Sequence, residues 1–156
     1  MRNDLVATME PDKLKALRLI GFALAGGAAM FAVVATALPF LSGGAPPTDE
    51  VPDAGLIQLL SMVHAFLFMS GLIMATVVPS AIAKNVTPQN AQAPYVLRWA
   101  MVEGAALFGS VIVLLAGLKG VLPAQPEYYA NLLSTVAMVS FVLTDTGRLA
   151  DAAKGG

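Results

Sequence analysis

Glu103 is the residue of this 156-residue chain whose type and setting ask most insistently for a chemical explanation. It interrupts the run Tyr95-Val96-Leu97-Arg98-Trp99-Ala100-Met101-Val102-Glu103-Gly104-Ala105-Ala106-Leu107-Phe108, which stays apolar to Leu118 and holds no other acid. An ionisable group in such a run costs roughly 2.5–3.5 kcal/mol at membrane depth, so it needs a partner, a proton or a task. Ser80, Asp145 and Arg148 stand at similar distances from the ends of their own apolar runs, as do Thr76, Pro79 and Thr144. Glu103, Ser80, Asp145 and Arg148 therefore form the candidate polar cluster. One chemistry for it is a proton or cation site in a low dielectric. The other is a structural knot, in which Glu103 pairs with Arg148 or hydrogen-bonds the neighbouring helix.

The single histidine, His64, has Met62, Met69 and Met74 nearby, a pattern that a haem could in principle use. No second ligand at equal depth is evident, so no metal or other cofactor is expected, and His64 is read as a hydrogen-bonding helix contact. Counting rise along the helices places His64 and Glu103 about 20 Å apart in depth, too far for one acid–base pair. The eight methionines read as packing. Phosphate-binding loops, catalytic triads and metal-protease signatures are absent. There is no cysteine, which removes disulfides, thiolate metal sites and cysteine nucleophiles. A net charge of −1 offers no basic field for nucleic acid.

The elements that must position these residues are membrane helices. The chain is 57% hydrophobic and 12% charged, against about 25% charged in soluble domains. Four stretches reach the length of about 20 apolar residues that a crossing requires, at residues 17–40, 56–83, 95–118 and 128–144. Strand alternation is missing, and lipid admits only backbones that satisfy themselves. One four-helix transmembrane domain over residues 1–156 follows, its first 16 residues cytoplasmic, with Asp4–Lys15 as an interfacial helix. Arg2, Lys13, Lys15, Arg18, Lys84, Arg98, Arg148 and Lys154 collect on one side. Asp49, Glu50, Asp53 and Glu127 lie on the other, with Lys119. The positive-inside rule then puts both termini in the cytoplasm. Tyr95 and Trp99 would mark the inner interface, and Tyr128 and Tyr129 the outer one. Ala35-Thr36-Ala37 resembles a signal cleavage site, but the preceding apolar run is too long and its leader too acidic.

Spans one and three share a pattern. Ala23-Leu24-Ala25-Gly26-Gly27-Ala28-Ala29-Met30-Phe31 aligns with Ala100-Met101-Val102-Glu103-Gly104-Ala105-Ala106-Leu107-Phe108, and Gly26 takes the place of Glu103. A duplication would make the fold two helical hairpins in the same orientation, packed about an axis along the membrane normal. Gly21, Ala25 and Ala29 form a small-residue stripe, as do Ala105 and Gly109, which lets helix backbones approach closely.

The runs Arg18-Leu19-Ile20-Gly21-Phe22-Ala23-Leu24 and Arg98-Trp99-Ala100-Met101-Val102-Glu103-Gly104-Ala105-Ala106-Leu107-Phe108 resemble a group of small uncharacterised four-span bacterial inner-membrane proteins. The resemblance covers nearly the whole chain and implies topology and a bacterial cytoplasmic-membrane location. The chain departs from that group after span four, where Thr144-Asp145-Thr146 stands in place of a proline. A second resemblance is to rotary ATPase proteolipid (c-type) subunits. It rests on Ala83-Lys84-Asn85 followed by Ala100-Met101-Val102-Glu103-Gly104-Ala105, and implies Glu103 as the proton carboxylate. The long loop from Lys84 to Arg98 and the sparse glycines of span two depart from that pattern. The expected function is non-enzymatic: an accessory or assembly subunit of a larger membrane complex, or a homo-oligomer. Its partners would be the bilayer and other membrane subunits or itself. A proton- or ion-translocating element built on Glu103 is the alternative, and a small-solute carrier formed by an oligomer is a third.

Overall fold

The computed structural model describes residues 9–43 and 54–154. Arg2, Asp4, Asp49, Glu50 and Asp53 lie outside the described residues. Four α-helices account for most of the chain: α1 (Pro11–Leu41), α2 (Ala54–Ile82), α3 (Ala93–Leu118) and α4 (Leu133–Lys154). Two 3-10 turns, Pro88–Asn90 and Pro126–Leu132, precede α3 and α4. The segments Pro11–Leu41, Ala54–Ile82, Ala93–Leu118 and Pro126–Asp151 are each long and apolar enough to cross a membrane.

The helix ends follow local chemistry. Pro11 opens α1 at a position where its missing N–H costs nothing, with Asp12 in the first turn facing the positive end of the dipole. From there α1 runs unbroken for 31 residues, so residues 11–15 belong to the spanning helix and not to a separate interfacial one. At the far end of α3, Gly120 adopts φ 71°. Its N–H bonds to Gly117 O at 3.1 Å, and the Val121 N–H to Ala116 O at 2.8 Å. That is the Schellman closure, which a left-handed residue makes possible.

The largest departure from the sequence expectation is α4. Its first turns are 3-10, and it then continues ten residues beyond residue 144, to Lys154. The polar stretch Thr144–Arg148 does not stop it because its demands are met. Asp145 is 1% exposed and bonded to α3, and the Thr146 hydroxyl donates to Val142 O at 2.7 Å.

α3 is the hub. α1, α2 and α4 all pack on it, and α1 also packs on α4. Consecutive α1 and α2 scarcely touch among the described residues, so the first hairpin expected from the repeat does not form. Gly21 of α1 lies against Trp99, and Pro39 against Gly117, which makes α1 and α3 parallel with a constant offset of 78 residues (99−21 and 117−39). α2 is antiparallel to α3 and meets it at Gly71, which faces Met101 O, and at His64, which faces Gly109. Of the small-residue stripes, Gly21, Ala25, Ala105 and Gly109 are buried, whereas Ala29 is half-exposed and Ala28 takes the buried place.

Gly109 is the tightest of these positions. A Cβ there would meet Asn131 O, and would come 2.8 Å from both His64 Nε2 and Ser134 Oγ. Gly109→Ala is expected to destabilise the bundle by about 1–3 kcal/mol through overpacking. Gly104→Ala, where nothing lies within 4 Å, should be neutral or stabilising by up to about 1 kcal/mol. Thermal unfolding of the two variants in detergent measures both.

Candidate functional site

Two polar knots tie the bundle together, and both involve α3. The first lies at the end of the bundle that holds the start of α1 and the end of α4. The Asp145 carboxylate, 1% exposed, accepts from Arg98 Nη1 through Oδ1 and from Trp99 Nε1 through Oδ2, each at 3.1 Å. Arg98 and Trp99 are adjacent on α3, so one acidic group on α4 engages two successive residues. The Arg98 guanidinium also lies 4.5 Å from the centre of the Phe141 ring, in cation–π geometry. Trp99 is fully buried, and Tyr95 packs one turn below it with ring centroids 6.3 Å apart. Trp99 and Tyr95 are thus core residues, not lipid-facing anchors.

A cavity of about 220 Å³ opens beside this knot, lined by Ala75, Thr76, Pro79, Ser80, Arg98 and Arg148. Of the four residues in the sequence-derived cluster, Ser80 and Arg148 meet in this cavity, and Asp145 joins them through Arg98. The Ser80 hydroxyl donates to Thr76 O on its own helix at 2.7 Å. Glu103 does not join. It lies five residues, or about 7–8 Å, farther along α3. It is partly exposed and forms no hydrogen bond or ion pair with the described residues. Gly104 beside it also faces open space.

The second knot centres on His64, 3% exposed. Asn131 Nδ2 donates to Tyr128 O at 2.8 Å and to Ser61 Oγ at 3.0 Å. That orients the Asn131 amide, leaving its Oδ1 to accept from His64 Nδ1 at 2.8 Å. His64 Nε2 lies 3.1 Å from both Ser134 Oγ and Ala105 O. The rings of Phe68 and Phe108 cover the imidazole, with centroids 6.0 and 6.1 Å away. The order Ser134–His64–Asn131 matches that of a nucleophile, base and orienting group. Ser134 is fully buried, however, and no described cavity reaches it. The arrangement can pin α2 to α3 and to the turn before α4.

His64 and Glu103 are close in depth, contrary to the 20 Å separation inferred from the sequence. His64 reaches Ala105 O, and Ala105 is two residues, or about 3 Å of rise, from Glu103. The expectation counted each helix separately, whereas packing sets their stagger, with Gly71 facing Met101 O and His64 facing Gly109. The two side chains still do not meet, because two residues on a helix turn through about 200°. Sequence reasoning missed Arg98 and Trp99 as partners of Asp145, and Asn131 and Ser134 as partners of His64. The available signal was the spacing of Asn131, Ser134 and Thr135, a polar stripe in an otherwise apolar span. No protein-family model, curated protein or solved structure matches the chain.

Asp145→Leu should cost about 3–5 kcal/mol, because it strands the Arg98 charge in the bundle. The double variant Arg98→Met/Asp145→Leu should recover most of that loss, since replacing both members of a buried pair is often neutral. Unfolding of the four proteins of this cycle reads the coupling directly.

Proposed function

We propose that this protein is a non-enzymatic, multi-pass subunit of a bacterial cytoplasmic membrane that assembles with other membrane subunits or with itself. The observation that carries this reading is Glu103. It is partly exposed in the middle of an apolar helix and has no partner among the described residues. At such depth a lone carboxylate is unfavourable, and a polar group on a helix of another subunit, or a proton, would satisfy it. The wide apolar surface of α2, with Leu59, Met62, Phe66, Met69, Ile73 and Val77 exposed, supplies contact area for lipid and subunit alike.

Both chain ends are read as cytoplasmic, since Lys13, Lys15, Arg18, Lys84, Arg98 and Arg148 share one end of the bundle. α1 and α3 are read as copies of one ancestral helix. The sequence alignment pairs Gly26 with Glu103, an offset of 77 (103−26), one residue from the packing offset of 78. Equivalent residues of the two helices therefore lie at nearly the same depth.

A second reading, transport of a proton or ion by Glu103, is favoured by the same open position. A packing role keeps its hydrogen bonds in Glu103→Gln, whereas a titrating role loses the group that carries the proton.

Native mass in mild detergent, with co-purifying chains identified, is expected to exceed that of the 16.1 kDa monomer. Glu103→Ala should release the partner and Glu103→Gln retain it. A monomer with no companion overturns the assembly reading. Proton flux in liposomes that disappears in Glu103→Gln establishes the second reading instead. Because the chain has no cysteine, single cysteines at exposed Lys84 and Ala124 report orientation without background. An impermeant maleimide added outside cells should label Ala124→Cys and spare Lys84→Cys.

A further inference from the structure

The 220 Å³ cavity beside the Arg98–Asp145 pair is polar and carries excess positive charge. Asp145 neutralises one guanidinium, and its two oxygens are already engaged by Arg98 and Trp99. Arg148, exposed at the rim, has no hydrogen-bond or ion-pair partner among the described residues. Two arginines against one carboxylate leave a net charge of +1. The Thr76 and Ser80 hydroxyls line the opposite wall, and each can turn from its own helix carbonyl to donate into the cavity. At roughly 30 Å³ per water, the space holds about seven waters, enough for a tetrahedral oxyanion.

A second recess, of about 230 Å³, lies on the other side of the same two arginines, lined by Arg98, Ala137, Ser140, Phe141, Thr144 and Arg148. Thr144, Phe141 and Ala137 follow one face of α4 at helical spacing, from the polar end of the bundle toward its apolar middle. Arg98 and Arg148 thus stand between a polar chamber and an apolar trough that runs in the direction of acyl chains.

We propose that Arg98 and Arg148 bind the phosphate of an anionic phospholipid, with Thr76 and Ser80 donating to its oxygens and an acyl chain lying along Ala137 and Phe141. The guanidinium fork suits phosphate oxygens. Basic pockets between membrane helices take anionic headgroups on the cytoplasmic side. The net charge selects anionic over zwitterionic lipids, whose own cation cancels the phosphate. This site rests on the bilayer setting and is independent of what Glu103 does.

The test is lipid titration of the full-length protein in detergent, read by native mass spectrometry and by unfolding followed through the single tryptophan, which is buried beside the site. The probes are phosphatidylglycerol, phosphatidylcholine and inorganic phosphate. Phosphatidylglycerol is expected to bind and raise the melting temperature. Arg148→Gln should weaken its binding about tenfold, the loss of one charge-assisted contact. Arg148 is exposed, so this variant tests binding without removing a buried contact. Lys84→Gln removes the same charge at the same end of the bundle and should leave binding unchanged. Phe141→Ala should weaken phosphatidylglycerol binding by severalfold. Equal binding of phosphatidylglycerol by the parent and by Arg148→Gln overturns the proposal. So does equal binding of phosphatidylcholine. Protection by inorganic phosphate as strong as that by lipid, lost in Arg148→Gln, identifies a soluble anion as the ligand and overturns the lipid assignment.

Discussion

The Asp145 carboxylate and the two α3 residues it engages form the constraint on which the rest of the bundle depends. In lipid there is no hydrophobic drive between helices, so association rests on packing and on polar groups that must find one another. A buried carboxylate with one partner would be a liability. With Arg98 and Trp99 both donating, Asp145 fixes the rotation of α4 about its axis and its height against α3. α1 then has no freedom left. Gly21 must fit against the Trp99 ring and Thr146, with room for hydrogen only.

The His64 knot does for α2 what Asp145 does for α4. α2 has few other holds, since it packs mainly on α3 and barely meets α1. Its attachment is made by a hydrogen-bonded imidazole and by the absence of side chains at Gly71 and Gly109. The Gly109 gap is what allows His64, Asn131 and Ser134 to converge on one turn of α3. The two knots lie on different flanks of α3, and the bundle is consequently asymmetric. Whatever symmetry the sequence of spans one and three suggests, their partners differ: α3 is enclosed by three helices and α1 by two.

That asymmetry bears on function. Most polar groups that close the fold are satisfied within the chain, although the buried Nε atoms of Arg18 and Arg98 have no hydrogen-bond partner among the described residues. Glu103 is one exception: it is partly exposed on the helix that every other helix touches and has no hydrogen-bond or ion-pair partner among the described residues. Arg148 is the second, at the rim of a cavity whose other polar walls belong to α2 and α3. A structural group is spent when the fold forms. Neither of these two has a hydrogen-bond or ion-pair partner among the described residues.

The membrane-helix class was legible in the sequence, because bilayer thickness and backbone hydrogen bonding leave few alternatives for runs of this length and composition. α1 starts at Pro11, six residues (17−11) ahead of the expected span, whereas the start of α3 at Ala93 was legible to within two residues (95−93). So was the stop of α3 at Lys119-Gly120, because capping is local chemistry. The length of α4 was not, since Asp145 reads as the end of a span until Arg98 and Trp99 are seen beside it. Nor was the pairing of His64 with Asn131 and Ser134, which are 67 and 70 residues away. Depth counted along separate helices misplaced His64 against Glu103, because the stagger of α2 on α3, with Gly71 facing Met101 and His64 facing Gly109, is set by their packing. Hydropathy and caps report what each segment meets on average or next to it in the chain. Which polar group meets which is decided by the rotation and height of one helix against another, and those angles exist only once the helices are packed.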